Sequence, residues 1–294
     1  MECKKEKTQG RHGVIWHVVR NEYVRWICNP RMILFLGMMI FIETYVAEGM
    51  IARSEKMGKP FGMFEIFIAT ANSTELCMVI PAVYLLLIGD FPRRDGNTLL
   101  YVHRAGRYHW LLGQILTTAL SILTYLGALL AGCVLMGVGR CISVNQWSDV
   151  VTKYQTLFPE DMGQSMSGMI TERLYNHFSP YQAFGYSVSL LFGLLFFLAM
   201  LKLLFFLLGK PTAGVAAGGC LLGFGWLFGI LEWKWKWIFP LSHAIEWQHC
   251  DEVFRFMTVS LSQSYVYFAG LSLGTVFVSI ILAGRYNFGM IERR

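Results

Sequence analysis

Four ionisable side chains interrupt stretches that are otherwise almost wholly apolar: Glu43, Glu48, Glu75 and Lys202. Charge in hydrocarbon is costly, so each is a candidate for handling substrate or protons. Glu43 lies twelve residues past Arg31, about 18 Å along a helix and a little beyond a membrane midplane. Glu48 follows near the far boundary. With Glu75, Asn72 and Thr74, these carboxylates could form an acidic vestibule for a cationic or amphipathic substrate. The alternative is that the first apolar run ends early and the carboxylates are hydrated. Lys202 also has two readings. Its four-carbon stem could carry the ammonium to the headgroups, or it could make an internal ion pair or a substrate contact.

Other chemistry finds less support. His243, Glu246 and His249 are spaced His-x-x-Glu-x-x-His, with Cys250 and Asp251 following. That spacing puts three ligands only roughly on one helix face and is not the H-E-x-x-H of a zinc protease. An interfacial or re-entrant hairpin after Pro240 is the expectation, with no metal. The seven Cys form no C-x-x-C pair; Cys141 and Cys250 could join if they are close. No paired Glu-Glu, Gly-x-Ser-x-Gly or His-Glu motif lies in an apolar run. Gly209-Lys210-Pro211-Thr212 is only a fragment of a phosphate-binding loop, with Leu204 where its first Gly belongs.

The elements that must position these residues are membrane spans. The 294 residues are 55% hydrophobic and only 15% charged, against about 25% in soluble domains, and the mean hydropathy is +0.46. At about 20 residues per crossing, six spans are predicted, at 32–51, 71–91, 110–137, 181–208, 213–239 and 265–284. The fold class is therefore an all-α polytopic membrane protein. The formal charge of +6 does not point to nucleic acid, because the basic residues are spread over links and ends without a long block. Six crossings leave both termini on one side, where sixteen Lys and Arg fall against nine on the other. The positive-inside bias then predicts cytoplasmic termini. The basic start runs into an amphipathic stretch rather than a cleavable signal. Trp233, Trp235 and Trp237, alternating with Lys234 and Lys236, read as an interfacial belt.

Two segments flank these spans with more than loop chemistry. Ile15, Trp16, Val19, Tyr23, Trp26 and Ile27 recur at helical spacing, opposite His17, Arg20, Asn21 and Arg25. They predict an amphipathic helix over 12–29 in the headgroup plane, after a basic tail over 1–11 and before an elbow at Asn29-Pro30. In the link 92–109, Gly96-Asn97 offers a turn, and a short helix from Thr98 to Arg104 is stopped by Gly106. A charged helix there suits docking on a soluble partner.

An interfacial helix ending in Asn29-Pro30-Arg31, six spans, and the order Asp95-Gly96-Asn97-Thr98-Leu99-Leu100, then Arg104 and Gly106, resemble a type-2 ABC exporter permease. The departures are Asn97 between Gly96 and Thr98, and Gln114 where a Lys is frequent. The resemblance implies a 30–284 transmembrane domain with a short cytoplasmic tail over 285–294, paired with a second permease subunit and seated on a separate cytoplasmic ABC ATPase. ATP and Mg would bind that ATPase and nothing this chain. The coupling residues implied are Arg20, Arg25, Arg93, Arg94, Asp95, Thr98 and Arg104. The substrate would be an amphipathic peptide, drug or lipid-like molecule, and the setting a bacterial plasma membrane. An intramembrane enzyme, or a carrier without ATP that uses the embedded carboxylates, is the alternative.

Overall fold

The computed structural model describes residues 2–93, 96–163, 170–251 and 256–286. It is mostly helical, with 78% helix and 2% strand. Five of its helices are long and apolar enough to cross a membrane, or up to six if a bent pair counts as one span.

Helix α1 (Glu2–Ile27) stops before Asn29-Pro30. Proline cannot donate the next helical hydrogen bond, and the Asn29 side chain accepts from the Arg31 backbone N–H at 3.0 Å, which starts the following helix. Its buried face carries Ile15, Val18, Val19, Glu22 and Trp26. Trp16 and Ile27, expected on that face, are 65% and 44% exposed. The i, i+3, i+4 stripe centred on Val18 and Glu22 leaves them on its flanks.

Helices α2 (Met32–Ile42) and α3 (Glu48–Met57) are joined by a π turn at Glu43–Ala47 into one continuous span. This span runs past the predicted end at 51. A two-residue strand β1 (Phe61–Gly62) precedes α4 (Glu65–Asn72) and α5 (Leu76–Leu87), which meet at 84°. The span predicted over 71–91 is thus a sharply bent pair that begins at Glu65. Ser73 turns extended, and its hydroxyl accepts from the Leu76 N–H at 3.4 Å, so α5 starts afresh there. Pro81 sits inside α5, and the sharp bend lies ahead of it.

The link carries α6 (Gly96–Ala105). Gly106 adopts a φ of +84°, open to glycine, and turns the chain into α7 (Arg107–Met136). At 30 residues, about 45 Å, α7 exceeds one bilayer crossing. Strand β2 (Cys141–Ile142) then pairs parallel with β1. Short helices α8 (Asp149–Thr152), α9 (Tyr154–Leu157) and α10 (Glu172–Tyr175) follow. Lys59 at 2.5 Å from Asp149 and Lys56 at 2.6 Å from Asp161 fasten this cap to the end of α3, while Lys153 pairs with Asp149 within the cap at 2.7 Å.

Helix α11 (Pro180–Leu207) is the central post, since 67% of its apolar window is buried against 22–33% for the other four long spans. Helix α12 (Pro211–Ile230) ends short of the predicted 239. Glu232 takes a positive φ of 49°, and Lys234–Ile238 wind as a 3₁₀ turn before α13 (Pro240–Ala244). A second 3₁₀ turn (Glu246–His249) leads on to α14 (Leu261–Arg285).

The starts of α2, α7 and α12 and the ends of α5, α11 and α14 gather at one end of the bundle. Arg31 pairs with Asp90 at 2.8 Å, Arg107 donates to the Gly284 carbonyl at 2.5 Å, and the Trp110 and Phe206 rings lie 6.1 Å apart. This is called the basic end below.

Candidate functional site

At the basic end the link after α5 is tied on three sides. Arg93 donates to the Arg25 carbonyl of α1 at 3.4 Å. Thr98, 1% exposed, donates its hydroxyl to the Arg93 carbonyl at 2.8 Å. The Lys202 ammonium donates to the Phe91 carbonyl. Thr98 thus holds the link together from within, because its hydroxyl is spent on Arg93 and its side chain is covered. Arg20 and Arg104 are exposed, and Arg25 is half-buried. Arg94 and Asp95 lie outside the described residues. Two elements distant in sequence, α1 and α6, are therefore brought together on the link after α5.

Helix α1 also follows α7. Val18 presses on Gly113, where a Cβ would stand 2.9 Å from its Cγ1, and the Tyr23 hydroxyl meets that of Thr124 at 2.8 Å. Gly113 and Thr124 are about 16 Å apart along a helix. Movement of α1 is thus resisted along a length of α7.

Lys202 is 1% exposed, and its ammonium donates to the Phe91 carbonyl. Its stem points toward the basic end. Beside it lies a cavity of about 790 Å³, lined by Arg31, Asp90, Arg93 and Lys202 and by apolar groups of α2, α5 and α12.

The three carboxylates singled out in sequence sit on the surface: Glu43, Glu48 and Glu75 are all exposed. Glu75 accepts from the Ser73 hydroxyl at 3.0 Å, and Tyr45 of the π turn lies beside it. Asn72 does not join them. It turns inward, because the bend between α4 and α5 directs it to α11 and to the segment after α13.

The polar centre that sequence reasoning missed lies there. The Asn72 amide donates to Ser187 at 3.1 Å and to the Ile68 carbonyl at 3.1 Å, while its oxygen accepts from the Glu246 N–H at 2.9 Å. Ser187 donates its own hydroxyl to Glu246 Oε1, and the Trp247 indole donates to the Asn72 carbonyl at 2.8 Å. Glu246 is fully buried, and its Oε2 has no hydrogen-bond partner. Burial pushes its carboxyl up to about 8, against the pull of the Ser187 and Asn72 hydrogen bonds, so it is largely protonated at neutral pH. Glu65, which the sequence did not single out, is also buried and accepts from the Ser148 N–H and hydroxyl at 2.8 and 2.7 Å. It anchors the cap to the start of α4.

His243 and His249 use their rings on protein groups. His243 faces the Ser264 hydroxyl and the Trp237 carbonyl, each at 2.8 Å, and burial pulls it down to about 4. His249 faces the carbonyls of Val259 and His243 at 3.0 and 3.3 Å. Glu246 points away from both, into the Asn72–Ser187 pair. Among the described residues, no group of three His, Cys, Asp or Glu stands close enough to hold a metal. Cys141 and Cys250 are both free thiols, so the disulfide that sequence left open is not formed. Trp233 and Trp235 are exposed, as a belt requires, whereas Trp237 packs its ring 4.9 Å from His249.

The chain matches no family model, no curated protein and no solved structure.

Proposed function

We propose that this chain is the membrane permease subunit of an ATP-driven exporter of the type-2 ABC class, working with a separate cytoplasmic ATPase. The observation that carries the reading is the tie between α1, the Phe91–Arg93 link and α6 through Arg25, Arg93 and Thr98. An ATPase needs a lever that it can push and that several spans must follow. Helix α6 supplies one. Its neighbours in the link are fixed to α2 through Arg31–Asp90 and to α11 through Lys202. In this reading the basic end is cytoplasmic, in keeping with the Lys/Arg bias. Helix α1 is the elbow helix and α6 the coupling helix, with Arg20 and Arg104 on their outer surfaces. The bent α4–α5 pair serves as the second of six spans, and a second permease subunit completes the path.

The chain performs no covalent chemistry in this scheme. ATP and Mg act on the partner, whose closure favours one membrane conformation through differential affinity. Export is the direction of the class the chain resembles, and an amphipathic peptide, drug or lipid-like molecule is the proposed cargo.

The test is co-purification in nanodiscs with candidate ATPases from the same source. A stoichiometric ATPase should be retained by the wild-type chain and weakened at least tenfold by Arg104→Ala combined with Asp95→Ala. Retention that ignores both substitutions, or no ATPase at all, would remove the reading.

A further inference from the structure

The geometry points to a binding site for the phosphate headgroup of an anionic lipid in the cavity of about 790 Å³ at the basic end, with the acyl chains leaving along the outer face of α2. Its volume falls within the roughly 300–1,000 Å³ of small-molecule sites. The inference goes beyond the permease reading and does not require an ATPase.

Charge comes first. Three cations, Arg31, Arg93 and Lys202, line the cavity, and among the described residues Asp90 is the one carboxylate in its wall. Asp90 is committed to Arg31 at 2.8 Å. Arg93 and Lys202 are held by the carbonyls of Arg25 and Phe91, which orient them without neutralising them. Counted over the described groups in its wall, the cavity holds two more cations than carboxylates, with Glu22 the carboxylate behind Arg93; beside an apolar phase an anion gains most from such charges.

A helix start adds to this. Pro211 and Thr212, the first residues of the 20-residue α12, form part of the wall, and the preceding Lys210 makes no side-chain cap. The first-turn N–H groups and the helix dipole favour an anion at that point. The guanidinium of Arg93 supplies the planar fork suited to phosphate oxygens, and Lys202 a point charge.

The rest of the wall is apolar. Leu34, Leu86, Val215 and Ala216 line it, with Leu34 and Leu86 39% and 47% exposed. From Leu34 the uncovered surface of α2 continues at i+3 and i+7 through Gly37 and Phe41, which is 45% exposed. A free phosphate would leave this track unused; a phospholipid covers both parts.

The experiment is native mass spectrometry of the full chain released from detergent, titrated with dioctanoyl phosphatidylglycerol, dioctanoyl phosphatidylcholine or inorganic phosphate. One phosphatidylglycerol should be retained at a Kd about tenfold or more below that of phosphatidylcholine, which has the same chains and no net charge. Arg93→Gln and Lys202→Met should each weaken it about tenfold, as expected for losing one charge-assisted hydrogen bond. Val215→Trp, which fills the apolar side and leaves every charge in place, should exclude it. Equal retention of the two lipids would overturn the assignment. So would unchanged affinity in variants that elute as the folded wild type does. Inorganic phosphate displacing phosphatidylglycerol at equal concentration would overturn the lipid part by showing that the anion alone is recognised.

Discussion

Glu246 is a carboxyl that the fold surrounds with donors on one oxygen and leaves bare on the other. That arrangement is stable only while the group carries its proton. Its folded value, about 8, stands above the unfolded carboxylate range of about 4.3. The folded chain therefore binds the proton more tightly than the unfolded one. The stabilisation is complete below the unfolded value and is lost as pH rises through about 8. Thermal unfolding in detergent should thus show Tm falling between pH 7 and pH 9. Glu246→Gln, which keeps the shape and removes the titration, should flatten that fall by about 2 °C. An identical pH profile in the variant would show that Glu246 does not govern this loss. At Thr98 the expectation concerns geometry. Thr98→Val keeps the buried volume but leaves the Arg93 carbonyl without its donor, and should cost about 1 kcal/mol in chemical unfolding. It should also raise amide exchange across α6; unaltered exchange would mean that the hydroxyl does not secure the link.

Helix α12 packs through its glycines on one side only. A Cβ on Gly214 would stand 2.9 Å from Phe205 Cβ and 3.2 Å from the Lys202 backbone, whereas Gly219 and Gly223 have nothing within 4 Å. Gly214→Ala should therefore cost about 1–3 kcal/mol by wedging α12 from α11. Gly219→Ala should be neutral or stabilise by up to about 1 kcal/mol. Equal effects at the two sites, measured by unfolding in the same detergent, would contradict this packing. Five glycines crowd 214–225 in the sequence, but which of them meet a neighbour is not legible there, since that depends on the rotation of α12 against α11. The long spans α7, α11 and α14 were readable to within four residues at each end, because nothing competes with their apolar runs. The bend before α5 was hidden by its own hydropathy. Ser73-Thr74-Glu75 is a helix start inside a run that averages as apolar, and the cap was the available signal. Likewise Trp233–Phe239 extended the fifth run in composition while Glu232 had already turned the backbone.

The network of Asn72, Ser187 and Glu246 joins residues 59–174 positions apart, and no local pattern announces such contacts. Sequence pointed instead to the carboxylates that interrupt apolar runs, and these are the exposed ones. At the scale of the whole molecule, the arrangement separates two tasks. The end opposite the basic one is fastened by Glu65, the Lys–Asp pairs and the Glu246 network. The basic end keeps a cavity and a link on which α1, α2, α6 and α11 all bear. A cysteine in place of Arg104 should accordingly react with a membrane-impermeant maleimide only from the cytoplasmic side of sealed vesicles, and one in place of Lys153 only from the other. Labelling of both from one side would break the proposed topology. The proposed role of α6 as the lever an ATPase pushes can be probed by replacing Arg104 with photoreactive benzoylphenylalanine in the complex held in nanodiscs. Position 104 should cross-link to the ATPase subunit in a manner altered by ATP, and position 153 should not. Cross-linking from position 153, or none to any ATPase from position 104, would contradict it.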